Sequence, residues 1–129
     1  MKILVMDDEE SGRDFIVWFL TVLFEAELGR KELELVTAED GQEGRSRLAS
    51  IPATELALVI SDVQSDCRPF VFIDWLVYVG KVPVAKIIAV SAGNHFTLGP
   101  MAEERGVKFL SKPFSLADFT EAVRVAVKP

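Results

Sequence analysis

The sequence predicts an α/β fold in which helices wind both faces of a five-stranded parallel sheet, and three observations carry that prediction. Five short apolar runs are spread along the chain, each too short to be a helix. Stretches with helical spacing and capping residues separate them. Four of the five runs end directly on a chemically active polar side chain, at Asp7, Asp62, Ser91 and Lys112. Alternation of this kind gives parallel strands joined by right-handed crossovers, with helices on both sides of the sheet.

The first run, KILVM at 2–6, is continuously apolar, as a strand covered on both faces must be. Ser11 then offers an N-cap with Asp14 three positions on, and an apolar stretch from Phe15 to Phe24 predicts a first helix over about 11–28, stopped at Gly29. LELVT at 33–37 alternates into a second strand, and AEDGQEGRSRLAS supplies a polar helix that ends before Pro52. LALVIS at 56–61 is apolar throughout and reads as the central strand. FVFIDWLVYVG at 70–80 predicts a helix ending at Gly80, and AKIIAVS at 85–91 the fourth strand. A Gly-containing loop leads to a short helix at about 99–105, and VKFLS at 107–111 is the fifth strand. After the KPF turn, Ser115 caps a last helix with Asp118 behind it, and Leu116, Phe119, Val123, Ala126 and Val127 share its apolar face.

Composition bounds the function. The 129 residues suit one domain spanning 1–129, and 50% hydrophobic with 26% charged residues is the balance of a folded chain. A net charge of −6 argues against direct binding of nucleic acid, which needs clustered Lys and Arg. The single cysteine, Cys67, cannot make an internal disulfide and reads as an incidental loop thiol. The strongest apolar run, FIVWFLTVLF at 15–24, is about half the ~20 residues of a membrane span. No basic and then apolar leader precedes it, so the expected location is cytoplasmic, with no membrane partner. That run is wider than one buried stripe, which predicts a partner or homodimer interface centred on Trp18 or its neighbours.

In open sheets of this type the working groups collect at the carboxyl ends of the strands, near the point where strand order reverses. With the order 2-1-3-4-5, Asp62 sits between the Asp7 and Asp8 pair on one side and Ser91 on the other, with Lys112 beyond. Three carboxylates in one pocket repel unless a cation lies among them. Mg²⁺, held by carboxylates together with phosphate oxygens and water, suits such a pocket. Ser91 adds a hydroxyl and Lys112 a mobile positive charge for a phosphate oxygen. A carboxylate is a known covalent acceptor of phosphoryl groups, which makes Asp62 the candidate nucleophile.

The strand-one DD, strand-three D, strand-four SA and strand-five KPF, in this order over essentially the whole chain, resemble the signature of response-regulator receiver domains, the CheY-like phosphoacceptors of two-component signalling. The resemblance implies a CheY-like/flavodoxin-like (βα)5 doubly wound sandwich. It implies that Asp62 accepts a phosphoryl group from the phosphohistidine of a sensor histidine kinase or a histidine phosphotransfer protein. Asp7, Asp8 and Asp62 would hold Mg²⁺, Asp8 more directly than Asp7, with the backbone carbonyl of Gln64 as a further ligand. Ser91 and Lys112 would bond phosphoryl oxygens, Ser91 and Phe109 would act as the switch pair, and the Lys112–Pro113 bond would be cis. Phosphorylation would then reshape the surface made by the fourth helix, the fifth strand and the last helix, for a downstream target or output domain. A domain of this kind is a signalling phosphoacceptor rather than an ordinary enzyme, although it catalyses its own phosphorylation and dephosphorylation.

Receivers commonly carry Met-Pro and then Asp-Gly after the acceptor, whereas this chain reads DVQSDCRPF, with Asp66 an added acid. Gln64 and Gly93 match positions that tune phosphoryl lifetime in the family. His95, alone in a polar loop, is expected to be a bystander. Because the last helix is followed only by Lys128 and Pro129, the chain is expected to be a stand-alone receiver or a piece of a longer regulator. Three rival functions compete with this one. A haloacid-dehalogenase-type phosphatase needs a second aspartate where this chain has Gln64, and a nucleotide or flavin module needs a Gly-, Ser- and Thr-rich loop where it has DDEE. The third, a degenerate receiver that binds partners without being phosphorylated, shares the fold and is the alternative carried forward.

Overall fold

Apolar residues alternate between the two faces of every strand, and this sorts the chain into two cores, one on each side of a five-stranded sheet. In the computed structural model residues 1–63, 69–93 and 95–128 are described, so Gln64, Asp66 and Cys67 lie outside them. The strands are β1 (Lys2–Met6), β2 (Glu34–Ala38), β3 (Leu56–Asp62), β4 (Ile87–Ser91) and β5 (Lys108–Ser111). They are parallel and lie in the order β2-β1-β3-β4-β5, as the sequence predicts. The helices are α1 (Glu10–Leu23), α2 (Glu25–Gly29), α3 (Gly41–Ala49), α4 (Val71–Tyr78), α5 (His95–Glu104) and α6 (Leu116–Val127).

On one face Leu4, Met6, Val59 and Ala89 meet α4 and α5 through Phe72, Ile73, Leu76, Leu98 and Ala102. On the other, Ile3, Val5, Ile60 and Val90 meet α1 and α6 through Ile16, Phe19, Leu20, Phe119 and Val123. Alternate side chains of one strand point to opposite faces, so the continuous apolar runs of β1, β3 and β4 fill both cores at once. Fully burying each Phe, Leu or Ile contributes roughly 1.5–3 kcal/mol, which is what holds helices this short in place. α3 lies so close to α4 that a Cβ on Gly44 would stand 2.7 Å from the Phe72 ring.

Four details differ from the sequence expectation. The first helix begins at Glu10 with Glu9 as N-cap, not Ser11, because the chain has already turned at Asp7, whose Oδ1 accepts the Glu9 N–H at 3.0 Å. It also stops at Leu23, and after Phe24, at φ −116° and ψ 30°, the chain restarts as the short α2. α5 begins four residues before the expected start, with Pro100 inside it. Leu116, expected on the buried face of α6, is 39% exposed and lies with Ala117, Thr120, Glu121 and Arg124 along a surface cavity. Ser115 caps α6 as read, its Oγ accepting the Asp118 N–H at 3.1 Å, and the structure adds a cap on α3, where Asp40 Oδ1 accepts from Glu43 at 2.8 Å.

The wide apolar face of α1 divides in two. Ile16, Phe19 and Leu20 are buried, whereas Phe15, Trp18 and Val22, spaced three and four residues apart, stay exposed. No described helix is long and apolar enough to cross a membrane.

Candidate functional site

The carboxyl rim of the sheet is built by register. Met6 of β1 pairs with Ser61 of β3, so the residues that follow, Asp7 and Asp62, stand side by side on neighbouring strands. Asp62 pairs with Val90 of β4, and Ser91 pairs with Ser111 of β5, the residue before Lys112. The ladder runs slightly past the strands, with the Lys112 N–H donating to the Ser91 carbonyl at 2.8 Å and the Asp7 N–H to the Ala38 carbonyl at 3.1 Å.

Asp7 is fully buried and fixed from several sides. Its Oδ1 accepts from the Glu9 backbone at 3.0 Å, and its carbonyl accepts from Arg13 Nη1 at 2.8 Å. The start of α1 lies against the Asp7 carboxylate, and a Cβ at Gly12 would stand 2.5 Å from Oδ2, closer than atoms pack. Glycine in the first turns of a helix is costly relative to alanine, and here the close approach explains it. Gly12 and Arg13 went unnoticed in the sequence. The one signal the sequence holds for them is a glycine where a helix is expected, in SGRD.

Lys112 crosses the rim to reach both strand ends, its Nζ donating to Asp7 Oδ2 at 2.7 Å and to Asp62 Oδ2 at 3.0 Å. Burial alone would lower the pKa of this ammonium. The hydrogen bond to Asp7 and the charge of Asp62 outweigh that effect and hold it above its ordinary value. Asp8 is exposed beside the pair, and single oxygens of Asp7, Asp8 and Asp62 all lie within 4.8 Å of one another. Three carboxylates thus face one ammonium, leaving a pocket of hard oxygen donors with net negative charge. That donor set fits Mg²⁺.

Ser91 is fully buried at the same rim, its Oγ accepting the Gly93 N–H at 2.9 Å. Phe109 is not at the rim: it is half-buried on β5 against α5, near Gly99. The Lys112–Pro113 bond is cis. Asp7, Asp8, Asp62 and Lys112 therefore come together as predicted, Ser91 stands beside them, and Gln64 lies outside the described residues. His95 is exposed, its ring against Phe96 at 4.2 Å. A cavity of about 450 Å³ opens from Asp8, Asp62 and Lys112 toward Phe15 and Phe114, within the size range of ligand sites.

No protein-family model and no curated protein matches the sequence. Solved structures do match in fold. A response regulator receiver domain protein from Clostridium thermocellum superposes with a TM-score of 0.70 at 23% identity, over 98% of this chain and 93% of that one. A response regulator receiver protein from Pseudomonas putida does so at 0.74 and 22%, over 95% and 94%. Chemotaxis protein CheY4 of Vibrio cholerae does so at 0.71 and 22%, over 96% and 97%. NtrX from Brucella abortus also matches, at 0.72 and 21%, but there 98% of this chain covers only 26% of the other. With strand order, register and superposition in agreement, the chain has the CheY-like fold of response regulator receiver domains.

Proposed function

We propose that the chain is a single receiver domain that takes a phosphoryl group onto Asp62 from the phosphohistidine of a sensor kinase or phosphotransfer protein. The observation that carries this reading is the convergence of three carboxylates and the Lys112 ammonium at one rim of the sheet, with Lys112 spanning Asp7 and Asp62. A carboxylate oxygen of Asp62 attacks phosphorus as the bond to the imidazole nitrogen breaks, and the electron pair leaves with the imidazole. Asp7, Asp8 and Asp62, with the Gln64 carbonyl, would hold Mg²⁺, which when bound supplies positive charge for the phosphoryl oxygens. Lys112 exchanges its bond to Asp62 for one to a phosphoryl oxygen, keeping Asp7 as its anchor. Ser91 turns its hydroxyl from the Gly93 amide toward the same group. Phe109 follows into the space behind Ser91, and the surface of α5, β5 and α6 changes with it.

The exposed Phe15, Trp18 and Val22 stripe, which adjoins the rim cavity through Phe15, is the surface proposed for the phosphodonor protein. Incubation with acetyl phosphate and Mg²⁺, followed by intact mass measurement, tests the central step. One added phosphoryl group on wild type and none on Asp62→Asn is the expected result. An unmodified wild type, with the fold intact, would overturn the reading in favour of a receiver that acts by binding alone.

A further inference from the structure

A second cavity, of about 210 Å³, opens at the other end of the sheet from the acidic rim, where α3, the start of β3 and the connection from α4 to β4 meet. Its apolar surface comes from Leu48, Ile51, Leu56 and Val82. Three cations share the lining: Arg45 on α3, Lys81 just after α4, and Lys86 just before β4. No Asp or Glu lines it, which reverses the sign of a chain whose net charge is −6.

The cations are partly organised in advance. The Lys86 ammonium donates to the Leu56 carbonyl at 3.1 Å, which fixes the head group at the cavity and leaves two of its three donors for another partner. The Arg45 guanidinium lies 5.4 Å from the centre of the Trp75 ring, and Phe72 stacks with that ring at 6.1 Å and 9°. Both contacts hold the cavity wall in place. Among the described residues, the ion pairs involve other cations, and none joins Arg45, Lys81 or Lys86 to a carboxylate.

We propose that this cavity binds a small amphipathic carboxylate, its apolar body against Leu48, Ile51 and Val82 and its carboxylate facing Lys81, Lys86 and Arg45. Size suits the class, since a cavity of about 210 Å³ has room for one aromatic ring or a short alkyl chain. Chemistry selects the charge, because charge-assisted bonds to three cations favour an anion over its neutral isostere. The site is separate from Asp62 and does not depend on whether Asp62 is phosphorylated.

The test is a titration of the ¹⁵N-labelled full chain with benzoate, with benzamide as the uncharged control at matched ionic strength. The expected result is saturable shifts of the Trp75 indole N–H and the Lys81 and Val82 amides, with benzamide weaker by about tenfold or more. The double variant Arg45→Glu and Lys81→Glu changes two exposed side chains and keeps the sheet amides in place. It should lose the benzoate response. Failure to saturate, equal binding of benzamide, an undiminished response in the double variant, or shifts confined to the Asp62 rim would each overturn the proposal. Binding of an acidic peptide to this face without any binding of benzoate would overturn it too, in favour of a protein partner.

Discussion

Gly12 shows how narrowly the rim is built. Alanine there would place a methyl group 2.5 Å from Asp7 Oδ2, so either α1 or the carboxylate must shift. Gly12→Ala is therefore expected to weaken divalent-ion affinity by about tenfold while the chain still folds, because the helix gains propensity as the site loses geometry. Titration of Mn²⁺ followed by fluorescence or calorimetry measures it. An affinity equal to wild type would show that the close approach has no role in positioning Asp7.

Two neighbours make opposite predictions. The Ser61 hydroxyl is buried in β3 without a hydrogen-bond partner among the described residues, so Ser61→Ala should raise stability by about 1 kcal/mol in urea unfolding. Lys112→Met leaves the buried Asp7 carboxylate without its ammonium, which should cost about 3 kcal/mol at neutral pH. The folded pKa of Lys112 lies above the ordinary 10.5, so this contribution is complete below pH 10.5 and fades as pH climbs through the folded value. The gap between the unfolding midpoints of wild type and Lys112→Met should therefore stay open at neutral pH and close in strong alkali.

At the scale of elements, α4 and α5 are tied by one residue. Arg105 donates from Nε and Nη2 to both oxygens of Asp74, at 2.7 and 3.1 Å, and its guanidinium lies 4.6 Å from the centre of the Phe70 ring. Phe70 is buried at φ 67°, a left-handed conformation that a bulky residue holds only when its surroundings enforce it. Arg105→Ala should lower stability by roughly 1–2 kcal/mol, since a bidentate, partly buried pair is worth more than an open one. It should also loosen the amino end of α4, which amide hydrogen exchange over 71–74 would register. Unchanged exchange there would make the pair a surface ornament.

The elements themselves were largely legible in the sequence. β1 was read to the residue, and the order of strands and helices followed from apolar runs set between capped helical stretches. What escaped was set by contacts between distant residues. The Asp7 turn moved the cap of α1 from Ser11 to Glu9, and the wide apolar run was divided by the packing of Phe19 against Phe119 of α6, which leaves Phe15, Trp18 and Val22 outside, in keeping with the exposed surface expected around Trp18. The carboxylates and Lys112 were visible because their chemistry stands out against apolar strands. Gly12 and Arg13 were not, because a glycine reveals its purpose only when the atom it makes room for is known.

For the whole molecule, the rim joins four of the five strands, so anything bound there fastens the sheet as a unit. If a divalent ion takes the Asp7, Asp8 and Asp62 oxygens, Mg²⁺ at a hundredfold excess over its dissociation constant should raise the unfolding free energy by about 2.7 kcal/mol. Thermal unfolding with and without MgCl₂, against NaCl at equal ionic strength, measures this, and Asp8→Asn should shrink the rise. A rise that NaCl reproduces would mean simple screening.

Lys112 gives this chain a counterion of its own, carried from the end of β5 across to the carboxylates at the ends of β1 and β3. If Asp62 takes a phosphoryl group with Mg²⁺ as proposed, removing the metal would leave the chain folded but unable to accept that group, since the lysine offsets the charge of the aspartates without replacing the metal. Loss of phosphorylation and loss of structure would then be separate events, and restoring magnesium would reverse the first.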